Sequence, residues 1–255
     1  MSVGLHVVRA GVGPRILLIH GSAADHATWS IQLASPLRDR FGLLAYDRRA
    51  GAHSVEDHAD DAARLLAEEP GEPGLVVGSS FGAVIALDLL RRHPMSCRGA
   101  VLIEPPMAAS DEVPAAPMAF LDEFDRRAAE QGGPAAAEYF LRFVLGDVSY
   151  DRIPQLFQDR SKSKFAQIRD DSAALIAYRP RYAELAGVTA PVLLLGGERS
   201  APYFRPTLAA LQAVLPRARL EIVPAAGHML QAEAHRRFTE LVTQFAAHDA
   251  GLAPG

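Results

Sequence analysis

A serine between two glycines, in Leu75-Val76-Val77-Gly78-Ser79-Ser80-Phe81-Gly82-Ala83-Val84, carries the most pointed chemistry of this chain. An apolar run stops at Gly78 and a helix-forming run starts at Phe81, which reads as strand, sharp turn, helix. The middle residue of such a turn is forced into a strained backbone conformation, so the positions two residues to either side must lack a bulky side chain; Gly78 and Gly82 meet that need. The Ser80 hydroxyl is then exposed at the carboxyl edge of a sheet. Beside it, the Phe81 amide sits at a helix amino terminus, where negative charge is favoured. A hydroxyl placed next to a donor for developing negative charge suits nucleophilic attack on a carbonyl carbon. A second apolar run, Gly99-Ala100-Val101-Leu102-Ile103, ends in Glu104-Pro105-Pro106. It sets a carboxylate at the carboxyl end of a central strand, the edge at which open α/β sheets gather their functional groups.

The elements that must position these residues alternate along the chain. Val3 to Arg9 alternates in character, and Gly11-Val12-Gly13-Pro14 separates it from Ile16 to Ile19. Leu43 to Tyr46, Val192 to Leu195 and Arg219 to Val223 give further strands, and the continuous apolar runs among them suit a parallel sheet buried on both faces. Between them, Val55, Ala59, Ala62, Ala63, Leu65 and Leu66 recur at helical spacing behind the cap signal Ser54-Val55-Glu56-Asp57. Helices are also predicted from Ala83 to Leu90, Thr207 to Leu215 and Glu233 to Ala247. Residues 107–187 break the alternation with helical patterns and no strand-like run. The aromatic residues of that interval, Phe120, Phe124, Tyr139, Phe140, Phe143 and Phe157, read mainly as its own core, with some lining a cavity. Its mixed charges, Arg126, Arg127 and Lys162 against Glu123, Asp125 and Asp171, read as solvated surface. Asp57, His58, Asp60 and Asp61 likewise read as a solvated helix face rather than a metal site. Asp47, after Tyr46, reads as a loop residue held by backbone amides.

Composition excludes several classes of function. The 255 residues carry a formal net charge of −4 with pI near 6.1, which gives no electrostatic reason to expect nucleic acid or an anionic membrane as partner. A small-molecule substrate is expected. Cys97 is the only cysteine, so no intrachain disulfide forms, and it reads as a small core hydrophobe. No basic segment followed by an apolar one opens the chain, and no apolar run is long enough to span a membrane. A cytoplasmic protein is expected, with a frayed tail from Ala250 to Gly255.

Gly78-Ser79-Ser80-Phe81-Gly82 is the Gly-x-Ser-x-Gly nucleophile elbow, and here the chain resembles the α/β-hydrolase family. His20-Gly21-Ser22-Ala23-Ala24 is similar to the family's His-Gly loop after the first buried strand. Pro224-Ala225-Ala226-Gly227-His228-Met229, between the last strand and the last helix, resembles its catalytic histidine loop. The resemblance implies an α/β-hydrolase fold: a mostly parallel central sheet with helices on both faces. It implies a core formed by residues 1–106 and 188–255, and a small helical cap formed by residues 107–187. It also implies Ser80 as nucleophile, His228 as base, and an oxyanion hole from the Phe81 amide with that of Ser22 or Ala23. His20 is then a loop-orienting residue that hydrogen-bonds backbone.

The triad acid departs from the family's commonest pattern. That pattern places an Asp where this chain has Ser200, and a neutral hydroxyl cannot balance an imidazolium. Some members, notably a subgroup of haloalkane dehalogenases, take the acid from the strand after the elbow helix, and Glu104 stands there. Glu198 is the competing candidate. Serine chemistry without a metal or organic cofactor is implied, acting on an ester, thioester, lactone or related carbonyl substrate. Two other readings of the same scaffold stay open at this point: a non-hydrolytic cyclase or lyase, and a catalytically silent small-molecule binding protein.

Overall fold

The computed structural model describes residues 4–69, 71–112 and 118–252. Seven strands form one sheet: β1 (Val7–Ala10), β2 (Arg15–Ile19), β3 (Gly42–Tyr46), β4 (Gly74–Ser79), β5 (Cys97–Ile103), β6 (Val192–Gly197) and β7 (Ala218–Val223). Their order is β1-β3-β2-β4-β5-β6-β7, and every pairing is parallel except that of β1 with β3. The chain thus has the mostly parallel α/β architecture expected of it, and Val3 of the expected first strand lies outside the described residues.

The period-two alternation of strand side chains sorts the sheet's apolar residues onto two faces. Leu17, Ile19, Leu44, Tyr46, Val76, Ala100, Leu102 and Leu194 enter one core; Ile16, Leu18, Leu43, Ala45, Leu75, Val77, Val101, Ile103, Leu193 and Leu195 enter the other. The first is covered by α2 (Val55–Glu68), α3 (Phe81–Arg92) and α10 (Phe204–Val214), the second by α1 (Ser30–Ala34) and α12 (His235–His248). A sheet covered on both faces needs apolar side chains in both directions, which is why these strands read as unbroken apolar runs. The signal Ser54-Val55-Glu56-Asp57 forms a full capping box at α2: Ser54 Oγ accepts from Asp57 N–H, and Asp57 accepts from Ser54 N–H. Cys97 is buried in the first core. Of the expected frayed tail, Ala250 and Leu252 are instead buried in the second core, with Leu252 N–H donating to Ala246 O at 2.8 Å, and residues 253–255 lie outside the described residues. An apolar side chain near a terminus docks where a groove accepts it, and composition alone does not report that.

Between β5 and β6 lie α4 (Met118–Gln131), α5 (Gly133–Leu145), α6 (Asp147–Asp151), α7 (Gln155–Lys162), α8 (Phe165–Ala177) and α9 (Tyr182–Leu185). A short α11 (Leu230–Glu233) precedes α12. The insertion has an apolar cluster of its own, Phe124, Ala136, Ala137, Leu141, Tyr150 and Ile168, and Ala23 from the loop after β2 joins it.

Candidate active site

The elbow forms because adjacent backbones meet with no space for side chains at its glycines. A Cβ on Gly78 would lie 2.2 Å from Gly82 O, and one on Gly82 would lie 2.3 Å from Ile19 O. Between them Ser80 takes φ 55° and ψ −124°, a conformation an L-residue holds at a cost of roughly 1–3 kcal/mol. Ser80 N–H donates to Ile103 O at 2.8 Å, so the turn is tied to the end of β5. Gly21 passes close by: a Cβ there would come within 2.9 Å of Ser80 Cβ.

Glu104 follows β5 directly and is fully buried, with φ 43°. Its Oε1 accepts from Gly197 N–H at 2.7 Å, and its Oε2 lies 2.6 Å from His228 Nδ1. A buried carboxylate at that distance holds the proton on Nδ1 and leaves Nε2 as the basic nitrogen. Phe204 stacks on the imidazole with ring centroids 4.6 Å apart and planes 7° from parallel, which fixes the ring's tilt. Glu198 turns elsewhere: its Oε2 accepts from Ala225 N–H at 2.8 Å. Glu233 accepts from Gly227 N–H at 3.0 Å, so both of these carboxylates brace the backbone of the histidine loop, not its ring. Ser200 Oγ is buried and, among the described residues, has no hydrogen-bond partner. The structure therefore brings Glu104 and His228 together and leaves Glu198 and Ser200 away from the imidazole nitrogens.

The loop after β2 is organised by a neutral histidine. His20 is fully buried, and burial, with the nearby Arg48 cation second, pushes its pKa well below the usual value. Its Nε2 accepts from Arg48 N–H at 3.2 Å, so Nδ1 carries the proton and donates to Gly21 O at 2.8 Å. Ser22 and Ala23 follow, the latter at φ 58°. The amides of Ser22, Ala23 and Phe81 have no backbone or side-chain acceptor among the described residues. They are free to bind an anion.

Three charged or polar groups read as solvated are in fact buried. Asp171 pairs with Arg48 through both carboxylate oxygens, at 2.9 and 2.7 Å, and Ser22 Oγ donates to it at 2.7 Å. Asp61 is buried between Arg49 and Arg64. His58 is buried edge-on against Phe81, and desolvation with the adjacent Arg48 pushes its pKa down to about 3. The missed signal is phase: His58 and Asp61 fall within the stripe of Val55, Ala59, Ala62 and Leu65, and Asp171 lies between Ile168 and Leu175 on the buried side of α8. Arg48 itself carries no sequence signal beyond its place after a buried strand.

Asp47 is a loop clasp, its Oδ1 accepting from both the backbone N–H and the ring Nδ1 of His26, each at 2.8 Å. His6, His26 and Asp47 bring ligand atoms within 4.8 Å of one another, but the Asp47 oxygen is committed to those two donors. No helix of the described residues is long and apolar enough to cross a membrane.

The profile of the "Alpha/beta hydrolase family" matches residues 16–241. The chain is 42% identical over 100 residues to the uncharacterized hydrolase YraK of Bacillus subtilis (strain 168), a stretch that spans 35% of this chain and 36% of that protein. It is 27% identical over 258 residues to carboxylesterase YbfK of the same organism, covering 94% of this chain and 83% of that one. Among solved structures, the enol-lactonase from Burkholderia xenovorans LB400 superposes with a TM-score of 0.78 at 21% identity, covering 96% of each chain. With the family profile spanning β3 to β7, the elbow and the histidine loop, the chain belongs to the alpha/beta hydrolase family.

Proposed function

We propose that the protein is a serine hydrolase of the esterase type, acting on an ester, thioester, lactone or related carbonyl substrate of small size. The observation that carries this reading is the buried Glu104–His228 pair at 2.6 Å, set at the same sheet edge as the strained Ser80. His228 Nε2 takes the Ser80 proton as Oγ attacks the carbonyl carbon, and Glu104 stabilises the imidazolium that results. The oxyanion is held by the Phe81 amide and by that of Ser22 or Ala23. Collapse of the tetrahedral intermediate expels the leaving group with the proton from His228, and water, activated by the same imidazole, then releases the acid. Residues 107–187 act as the cap over this centre; support comes from Ala23, which packs into the insertion's own apolar cluster. The relative carboxylesterase YbfK, matched over 83% of its length, is consistent with ester chemistry.

Labelling with a serine-directed fluorophosphonate tests the proposal. One adduct mapped to Ser80 is expected, and Ser80→Ala should lower p-nitrophenyl acetate turnover by about three orders of magnitude. A wild-type enzyme that is neither labelled nor active on any activated ester would overturn it.

A further inference from the structure

The Arg48–Asp171 pair is absent from the mechanism above, yet it reaches Ser22 and Phe81, two of the three residues whose amides are proposed to face the oxyanion. Arg48 Nη2 donates to Gly21 O at 3.2 Å, a carbonyl that also accepts from His20. That carbonyl belongs to the same peptide group as Ser22 N–H. No peptide bond among the described residues is cis, and in a planar trans peptide the N–H points opposite to the C=O. Fixing Gly21 O therefore fixes the direction of Ser22 N–H, and two donors on that carbonyl polarise the amide toward stronger donation. The same guanidinium lies over the Phe81 ring, 4.7 Å from its centroid.

What holds Arg48 comes from the insertion. Asp171 of α8 takes both terminal guanidinium nitrogens and the Ser22 hydroxyl, and the side chains of the pair are 1% and 5% exposed. The next residues of the loop are held from the same side. Ala23 packs among Phe124, Tyr150 and Ile168; Ala24 N–H donates to Gln167 Oε1 at 3.3 Å; and Asp25 pairs with Arg160 and Lys164 at 2.8 and 2.9 Å. Every residue from Gly21 to Asp25 thus contacts the insertion directly or through Arg48.

We propose that Arg48 and Asp171 are positioning residues for the oxyanion hole, that Ser22 supplies its second donor, and that the insertion is a structural component of that hole. The proposal rests on the serine-hydrolase reading. It implies that the insertion cannot lift from the loop at Gly21–Asp25 without dismantling the oxyanion site, so substrate enters elsewhere along its rim.

The test exploits the fact that a buried ion pair replaced by apolar groups of similar volume commonly leaves the fold intact. Arg48→Met/Asp171→Leu should unfold cooperatively yet lower kcat for p-nitrophenyl acetate by about 30- to 100-fold, the scale of a displaced oxyanion donor, with KM within about threefold. The inhibition constant of an aliphatic trifluoromethyl ketone, whose Ser80 adduct carries an oxyanion, should rise by the same factor as kcat/KM falls. Arg48→Lys keeps the ion pair and the fold but cannot hold Gly21 O and both Asp171 oxygens in one plane, so it should show the same split at smaller size. A folded Arg48→Lys or double variant with kcat and ketone affinity within about twofold of wild type overturns the proposal, because a merely structural pair leaves both unchanged. Failure of the serine-hydrolase reading is a separate outcome, seen in the wild-type protein and in Ser80→Ala.

Discussion

Glu104→Gln isolates the charge of the proposed triad acid from its shape. Glutamine is nearly isosteric, and its amide oxygen can still accept from Gly197 N–H at the position Oε1 now holds at 2.7 Å. The NH2 group then faces His228 Nδ1, which cannot present its own proton to another donor. The imidazole shifts its proton to Nε2, the nitrogen that must take the proton from Ser80, and the imidazolium formed in the transition state loses its counter-charge. Two unit charges about 4 Å apart, the separation implied by a 2.6 Å contact, attract by about 4 kcal/mol at an effective dielectric near 20. Each 1.4 kcal/mol is tenfold in rate, so turnover should fall by about a thousandfold, with the tautomer change adding to that. The assay is kcat for p-nitrophenyl acetate, with the unfolding midpoint measured in parallel. Glu198→Gln and Ser200→Ala serve as controls and should stay within about threefold of wild type, since neither side chain bonds the ring. A folded Glu104→Gln protein with turnover within tenfold of wild type would refute the reasoning.

Three further outcomes follow from the same geometry. Gly78→Ala drives a Cβ to 2.2 Å from Gly82 O, where only backbone can yield, so the variant should lose about 3 kcal/mol or more in urea unfolding; a loss under about 1 kcal/mol would contradict the packing at the elbow. Phe204→Ala removes the ring stacked on His228 and should reduce kcat by about tenfold; a folded variant with kcat within about twofold of wild type would contradict a positioning role for that ring. Buried neutral His58, with its pKa pushed down to about 3, binds fewer protons in the fold than in the unfolded chain between that value and about 6.5. Its contribution to stability is therefore complete above about pH 6.5 and declines as pH falls toward 3, at up to about 1.4 kcal/mol per pH unit, with His20 acting in the same direction. His58→Gln should flatten the pH dependence of urea unfolding in that window, and an unchanged slope would contradict it.

The sharp turn at Ser80 and the histidine–carboxylate contact were legible because each sits at an abrupt change of pattern. Ser80 interrupts a strand and opens a helix, and Glu104 ends an unbroken apolar run. Ser200 carries no charge, which leaves Glu104 as a carboxylate at a neighbouring strand end, and the structure sets that carboxylate on the imidazole. What escaped the sequence was the fate of charges inside elements. Asp171 and Arg48 are 123 residues apart in the chain, and burial of either is tolerable only with the other in place. A charge run or a mixed-charge surface is ordinarily solvated, and composition alone places His58, Asp61 and Asp171 there. Yet each lies in phase with a buried apolar stripe, Asp171 between Ile168 and Leu175 on α8. A charged residue on the apolar stripe of a helix asks for a partner of opposite sign on a neighbouring element, and that question has an answer only after the fold is known.

Backbone strain marks the same place. The non-glycine residues with positive φ among the described residues are Ala23, Ser80, Glu104, Arg181 and Ala225. All but Arg181 stand in the loops that carry the candidate site: Ala23 beside Ser22, Ser80 at the elbow, Glu104 at the end of β5, and Ala225 three residues before His228. Each costs roughly 1–3 kcal/mol and persists only where surrounding contacts over-determine it. Those contacts are identifiable here. Ser80 is bonded to Ile103 O, Glu104 N–H to Leu195 O, Ala225 N–H to Glu198, and Ala23 is enclosed by the insertion. Three of the four are thus held by the sheet and the loops at its carboxyl edge. Ala23 is the exception, because what encloses it belongs to the helices between β5 and β6. Loosening that insertion would release strain at the proposed oxyanion loop while leaving the elbow and the histidine loop intact, which makes the insertion the element through which this candidate site can be altered without touching the proposed triad.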